Sequence, residues 1–374
     1  MSQIVTLGFV AALVMGAAVV PLTAQAAPKT VSRKPPTAKA PAKKAPSVKA
    51  PVQPGTLGTT QMAGGDGRFG QTYTFTDAGQ FGPINMTLKS AEYSVERINM
   101  ATNDSYAPKV GEKLLVLHYR IKNPNKEDLY YTHRPLFQTV DGDNTTRDDA
   151  ANSRRESARE GIGVSLKPGQ GIDDLLTYAV VSAKGPLPKL ILKLFRVGTH
   201  DEVTRFPLGA APNLVKPIPA PYADPSDPTG ATPLAVIPAT LGTAYIAGFF
   251  DMSLDSAAYA PGPFGDTAAD DGKRFLVATV TATNRAWDKI YFKDNYAVTL
   301  VTSDDEKTTD YTAFKAKRDE SFDGEEVLPG ASRTLRLLFQ VPKDVTVKSL
   351  SLAEKIDNSG GLSRAFLYDL SGIK

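Results

Sequence analysis

The sequence predicts an all-β protein: two tandem antiparallel β-sandwich domains behind an export signal and a basic tail. Three observations carry that prediction. The chain writes nearly one phrase twice, "GEKLLVLHYRIKN" from Gly111 and "GKRFLVATVTATN" from Gly272. Within both phrases the side chains alternate with period two, the signature of a strand with one face inward. Prolines and glycines, 28 and 30 of 374 residues, punctuate the chain at short intervals and leave no sustained helical period.

Residues 1–26 read as a signal peptide. An uncharged apolar run from Ile4 to Val20 precedes Pro21 and then Ala24-Gln25-Ala26, whose small first and third residues suit a signal peptidase. No Lys or Arg precedes the run, and its length approaches the roughly 20 apolar residues a membrane span needs, so an uncleaved anchor is the alternative. The expected location is extracytoplasmic: periplasmic, secreted or in the cell envelope. There is no cysteine. That excludes a disulfide framework, thiol catalysis, cysteine-based metal sites and lipid attachment at cysteine, and each domain has to rely on its own core.

Residues 27–56 form a linker rich in Pro, Lys and Ala. It carries Lys29, Arg33, Lys34, Lys39, Lys43, Lys44 and Lys49 and no acid. Such a segment buries too little apolar surface to offset its ordering entropy and is expected as a disordered spacer. Its charge exceeds the +3 of the whole chain, so the remainder is mildly acidic. The tail reads either as a solvated tether or as a patch that attracts an envelope polyanion or protein, an attraction salt would weaken. Export takes it away from nucleic acid.

The first sandwich is expected over residues 57–209 and the second over 239–374, joined by a proline-rich linker of residues 210–238. Nine prolines between Pro207 and Pro238 exclude regular helix or central strand over most of that stretch. The two domains follow one pattern. Register holds without a gap from Gly111–Gly169 to Gly272–Gly330, setting Asn123 on Asn284, Tyr130-Tyr131 on Tyr291-Phe292 and Pro168-Gly169 on Pro329-Gly330. Upstream, "NMTLKSAEY" from Asn85 matches "DMSLDSAAY" from Asp251, with a five-residue difference in the loop that follows. Downstream, "PKLILKL" from Pro188 matches "KSLSLAE" from Lys348.

Leu115, Leu117, Tyr119 and Ile121 are expected on the inner face of one strand, and Leu276, Ala278, Val280 and Ala282 on that of its counterpart. Asn123 and Asn284 end these strands at a turn, where a short amide side chain bonds nearby backbone. Aromatic strands follow, then Pro-Gly turns and a last alternating strand. The polar stretch "RDDAANSRRESARE" is placed in a loop.

This order resembles a telokin-like, immunoglobulin-like family of unknown function found in exported bacterial proteins and lipoproteins. The resemblance rests on Gly272 to Asn284, Leu328-Pro329-Gly330 and "LLFQVPKD" ending at Asp344, and more weakly on Gly111 to Asn123 and Leu166 to Gly169. It implies an immunoglobulin-like fold and an extracytoplasmic address, and no activity. The missing cysteine departs from the lipoprotein members.

The chemistry-bearing residues are sparse. His118, His133 and His200 are scattered, and copy two has Thr279 and Asp294 in the first two places. They are expected as isolated surface histidines, since a metal needs convergent ligands. "DGDNTTRDD" from Asp141 has oxygen ligands at alternate positions, but Thr146 and Asn152 stand where a calcium loop needs Gly and Glu. A hairpin turn is the expectation. Asp173-Asp174, Asp304-Asp305 and Glu325-Glu326 are chain neighbours in extended segments and make no catalytic dyad. No Gly-x-Ser-x-Gly elbow or phosphate loop is present, and "MAGGDG" from Met62 is a lead-in to the first strand. Trp287, alone of its kind, is expected to cap the edge of its own core, with stacking on a sugar or a partner as the alternative. Tyr130-Tyr131 and Tyr291-Phe292 should each send one ring inward and one out. No catalytic, cofactor or metal residue is assigned and no cofactor is expected. The functional expectation is a non-enzymatic exported envelope protein acting as a binding or spacing module. The alternative is a periplasmic chaperone or inhibitor that pairs a peptide along an exposed sheet edge.

Overall fold

Alternation sorts the Glu112–Lys122 strand as its sequence dictates: Leu115, Leu117, Tyr119 and Ile121 are at most 1% exposed, while Arg120 and Lys122 face solvent. In Lys273–Asn284, Leu276, Ala278, Val280 and Ala282 are equally buried. A strand face this apolar needs a second sheet over it, at about 25 cal/mol per Å² of apolar surface removed from water. The computed structural model describes residues 57–60, 65–75, 83–101, 104–132, 136–142, 144–147, 153–158, 161–194, 202–210, 214–322, 326–355 and 362–373. The expected signal peptide and basic tail lie outside the described residues. Among those described, no helix is long and apolar enough to cross a membrane.

The chain is an all-β sandwich protein. In the N-terminal half the larger sheet runs Thr59–Thr60, Thr72–Phe75, Ile84–Ser94, Glu112–Lys122, Gly171–Ser182, Arg154–Arg155 in spatial order. Its facing sheet runs Glu202–Pro207, Lys189–Leu194, Leu136–Val140, Thr146–Arg147. In the C-terminal half one sheet runs Tyr245–Ala247, Phe250–Ala260, Lys273–Asn284, Ser332–Pro342, Thr312–Lys315. The other runs Val236–Ala239, Leu362–Asp369, Val347–Lys355, Tyr296–Thr302, Lys307–Thr308. The stretch expected as a loop after Arg147 contributes Arg154–Arg155 as a short edge strand on Leu175–Leu176.

Register agrees between the halves in detail. Leu88 pairs Tyr119 and a bulge follows before Ser90 pairs His118; Leu254 pairs Val280 and a bulge follows before Ser256 pairs Thr279. Asn123 is fully buried, and its side-chain amide donates to the carbonyls of Glu127 and Leu166, both at 2.8 Å, while its Oδ1 accepts from the Asn125 amide. Asn284 donates to Asp288 and Val327 at 2.8 and 2.7 Å and accepts from Ala286. Each asparagine therefore ties its own turn to a segment 43 residues further along the chain, more than the local turn expected of it. The hairpin after Asp141 is closed by Asn144 at φ 59°, and its counterpart after Thr302 by Asp305 at φ 64°. Tyr131 and Phe292 point inward, and Tyr130 and Tyr291 outward.

The longer loop of the N-terminal half folds into a hairpin, Ile98–Ala101 with Asp104–Tyr106. With Met100, Leu114, Val116, Leu176 and Tyr178 it makes a small second core on the outer face of the larger sheet. Strict alternation therefore fails at Val116, which is buried on the supposedly wet side.

The proline-rich segment corrects the expected organisation. Expected as a linker between two separate units, it is built into both, and residues 51–374 form one compact unit. Val215–Lys216 pairs parallel with Ala91–Glu92, and Val236–Ala239 pairs parallel with Ala365–Tyr368. Between them Ile218, Tyr222 and Ala231 join a core that runs through both halves. Tyr222 stacks edge-on against Phe366 and accepts a hydrogen bond from the Ile246 amide. The buried ammonium of Lys113 donates to the carbonyls of Ala231 (2.6 Å) and Gly185, above the Tyr93 ring. Burial pulls the Lys113 pKa down to about 8, opposed by Asp227. The physical reason is composition. Proline excludes regular ladders but loses little entropy on ordering, and the apolar residues spaced between the prolines supply the burial.

Candidate functional site

The halves meet along a seam of charged and aromatic side chains. Arg97 follows the Ile84–Ser94 strand, and Glu354 stands near the end of Val347–Lys355. Arg97 Nε donates to Glu354 Oε1 at 3.0 Å, Nη2 makes a second contact to the same oxygen, and Nη1 reaches Ser105 Oγ. The guanidinium lies 3.6 Å from the Phe249 ring centroid. Glu354 is 1% exposed. Burial raises its pKa and Arg97 opposes the shift. Gly248, at φ +63°, packs against the carboxylate so closely that a Cβ there would overlap it. Arg364, also buried, sends Nη2 across the seam to the Glu112 carbonyl.

Two further arginines border the seam. Arg285 reaches Asp251 at 3.4 Å and Glu96 at 3.7 Å. Burial raises the pKa of Glu96, and Arg285 holds it down. Arg154, on the short edge strand, donates Nε to the Asn99 carbonyl at 2.6 Å and Nη1 to the carbonyls of Arg155 and Glu156. Its guanidinium lies 5.1 Å from the Trp287 ring centroid. Beside them opens a cleft of about 340 Å³ between the 98–106 hairpin and the C-terminal half, lined by Asn99, Ser105, Phe249, Trp287, Tyr291 and Asn295.

On the outer face of the N-terminal sheet, His118 stands between two carboxylates. Its Nδ1 is 2.7 Å from Glu156 Oε1 and its Nε2 is 3.6 Å from Glu92 Oε1. Lys216 completes the row at 3.1 Å from Glu92. The neighbouring Glu92 carboxylate raises the His118 pKa against the effect of burial, with Glu156 adding to it. Glu92 in turn falls to about 2, chiefly through His118, with burial opposing and Lys216 assisting.

These positions revise the expectations for His118 and Trp287. His118 is not isolated: the alternation argument placed it outward, yet could not see Glu156 arriving from a distant loop. Trp287 lies outside its own half's core and under an arginine of the other half. Asp141 closes its hairpin, accepting a hydrogen bond from the Thr145 amide. The acidic pairs go to separate partners: Asp174 to Ser157, Asp304 to Thr302, Asp305 to Lys348 and Glu326 to Lys289 and Tyr291. His133, His200 and Glu325 lie outside the described residues. Among the described residues no group of three His, Asp or Glu side chains is placed to hold a metal ion.

Sequence reasoning passed over Arg97, Glu354, Arg364 and Lys113. A signal existed for three of them. Glu354 shares the inward parity of Leu350 and Leu352, Arg364 that of Phe366 and Tyr368, and Lys113 that of Leu115 and Leu117. A charge in the buried register of a strand marks a place where something must meet it.

The fold makes the chain an all-β sandwich protein. The family called Domain of unknown function (DUF4352) matches residues 250–361, within the C-terminal half. Among solved structures the chain is similar to an uncharacterised β-sandwich protein from Clostridium difficile 630, at 11% identity and a TM-score of 0.28, over 35% of this chain and 91% of that one. No curated protein matches.

Proposed function

We propose that the chain is a non-enzymatic exported envelope protein in which one immunoglobulin-like domain of the telokin-like kind has been duplicated and fused into a rigid binding or spacing module. The paired sheet orders, bulges and asparagine corners support the duplication. The apolar run from Ile4 to Val20 followed by Ala24-Gln25-Ala26 supports export. One observation carries the functional part. The buried Arg97–Glu354 pair and the proline segment packed into both halves hold the two sandwiches as one body, so the distance between their far ends is set. A flexible tandem gains avidity through its linker, whereas a fixed one acts as a gauge or bracket. The basic tail supplies attachment to an envelope polyanion or protein, and the sandwiches meet a protein or glycan.

The test is capture from envelope extract by the mature protein, with and without residues 28–55, at low and moderate salt. Capture that survives both tail removal and salt supports a binding module. Capture that needs only the tail and disappears in salt leaves the sandwiches as a spacer. Fractionation that finds the chain in the cytoplasm overturns the reading, as does solution scattering from two loosely tethered bodies.

A further inference from the structure

We propose that the cleft beside Trp287 is a saccharide site that takes a single neutral pyranose unit of a glycan chain. The inference rests on the binding half of the reading above and gives it a ligand class.

The first argument is where the cleft lies. The halves share strand order, register and turns, and depart from each other at few points. One departure is the 98–106 hairpin, folded from the loop that is longer in the N-terminal half. Another is Trp287, which stands where the N-terminal half has Lys126. The hairpin supplies Asn99 and Ser105, and the C-terminal half supplies Trp287, Tyr291 and Asn295, to one cleft. Two changes that the fold itself does not require converge on one surface.

The second argument is chemical. A pyranose offers an apolar face of C–H groups and a rim of hydroxyls that both donate and accept. Its complement is an aromatic surface with side-chain amides and a hydroxyl beside it. The cleft has Trp287 and Tyr291 for the face and Asn99, Asn295 and Ser105 for the rim, the Asn295 amide being held in place by its bond to the Tyr291 carbonyl at 2.6 Å. Its volume of about 340 Å³ falls at the small end of ligand pockets, room for one ring rather than a folded chain.

The third argument is charge. Among the described residues, three cations bordering the cleft are paired with carboxylates, Arg97 with Glu354, Arg285 with Asp251 and Glu96, and Lys289 with Glu326, while Arg154 donates Nε and Nη1 to three carbonyls. Among the described residues most of the positive charge beside the cleft is thus already neutralised, and a neutral polyhydroxylated ligand fits better than an anionic polymer. The same contacts fix the rings in advance. Arg154 lies on Trp287, Arg97 lies on Phe249, and the Tyr291 hydroxyl is held by Glu326 at 2.7 Å. Little rotamer freedom remains to be lost on binding.

Trp287 is the only tryptophan, so intrinsic emission reports on this ring alone. The full chain is titrated with oligomers of N-acetylglucosamine and of glucose, and with polygalacturonate and polyphosphate as charged controls. A saturable shift in emission with a neutral series, unchanged by moderate salt, is expected. Asn99→Ala and Asn295→Ala, which keep the reporting ring, are each expected to weaken that binding by about tenfold. Calorimetry on Trp287→Phe checks the stacking without using the fluorescence signal. Three results overturn the proposal: no saturable shift with either neutral series, a shift shared with the charged polymers and lost in salt, or full binding in both asparagine variants. Should the titration fail while salt-resistant envelope capture persists, the saccharide site is lost and the module reading stands.

Discussion

The turn after Asn123 and the turn after Asn284 have the same skeleton and different tenants. Both asparagines donate twice to main-chain carbonyls and accept once from the amide two residues on. In the first turn Asn125 bonds back to the Pro83 carbonyl of its own half at 2.8 Å, and Lys126 faces solvent. In the second, Ala286 is buried and Trp287 meets Arg154 of the opposite half. The hydrogen-bonded frame serves folding in both places. What sits on the frame decides whether that corner faces water or forms part of the seam.

If the seam unites the halves, breaking it should cost most. Arg97→Ala strands the Glu354 carboxylate in a site that is 1% exposed, and a buried charge left unpaired costs about 3–5 kcal/mol. Urea denaturation measures the loss. Adding Glu354→Leu should restore much of it, because a buried pair replaced by apolar side chains is often neutral. A single variant that unfolds no more easily, yet scatters as two bodies, would show that the seam orients the halves without stabilising them.

The frame comes next. Asn123→Ala and Asn284→Ala each orphan two carbonyls and an amide, with an expected loss of about 2–4 kcal/mol apiece. The two losses should be alike and should shift a single shared transition, since one core runs through both halves. Two resolved transitions, each moved by only one of the variants, would restore the picture of two separate domains.

Much of this frame was legible in the sequence. Period-two alternation in Glu112–Lys122 and Lys273–Asn284 placed the inner faces correctly, and the matched glycines and asparagines marked the turns. Strand parity is a local property and survives any tertiary arrangement. The seam is not local. Arg97 and Glu354 are 257 residues apart in the chain, and no periodicity relates them. The proline-rich segment misled for a related reason: its prolines forbid regular structure, and only its neighbours show that Ile218, Tyr222 and Ile237 have a core to enter. Val116, of opposite parity to the inner-face residues, is buried because the hairpin that covers it has no counterpart in the other half.

The smallest expected effect separates the two outer faces. His118 occupies the place that Thr279 has in the other half, and of the two only His118 carries a titratable group. Glu92, Glu156 and Lys216 are the charged groups around it. Because its folded pKa is raised, its contribution is full below the ordinary 6.5 and fades as pH rises through the elevated value. Glu92 behaves oppositely: its contribution is present above the ordinary 4.5 and is lost as pH falls through about 2. The pair therefore stabilises most in the mildly acidic range between those limits. His118→Thr should cost at most about 1 kcal/mol there, because the carboxylates are partly exposed to solvent screening. At alkaline pH, where the imidazole is neutral in either state, the same substitution should cost almost nothing, and urea midpoints of both proteins across that range give the comparison. An equal cost at both ends would mean that the ring contributes packing rather than charge, and that the outer faces of the two halves differ in shape alone.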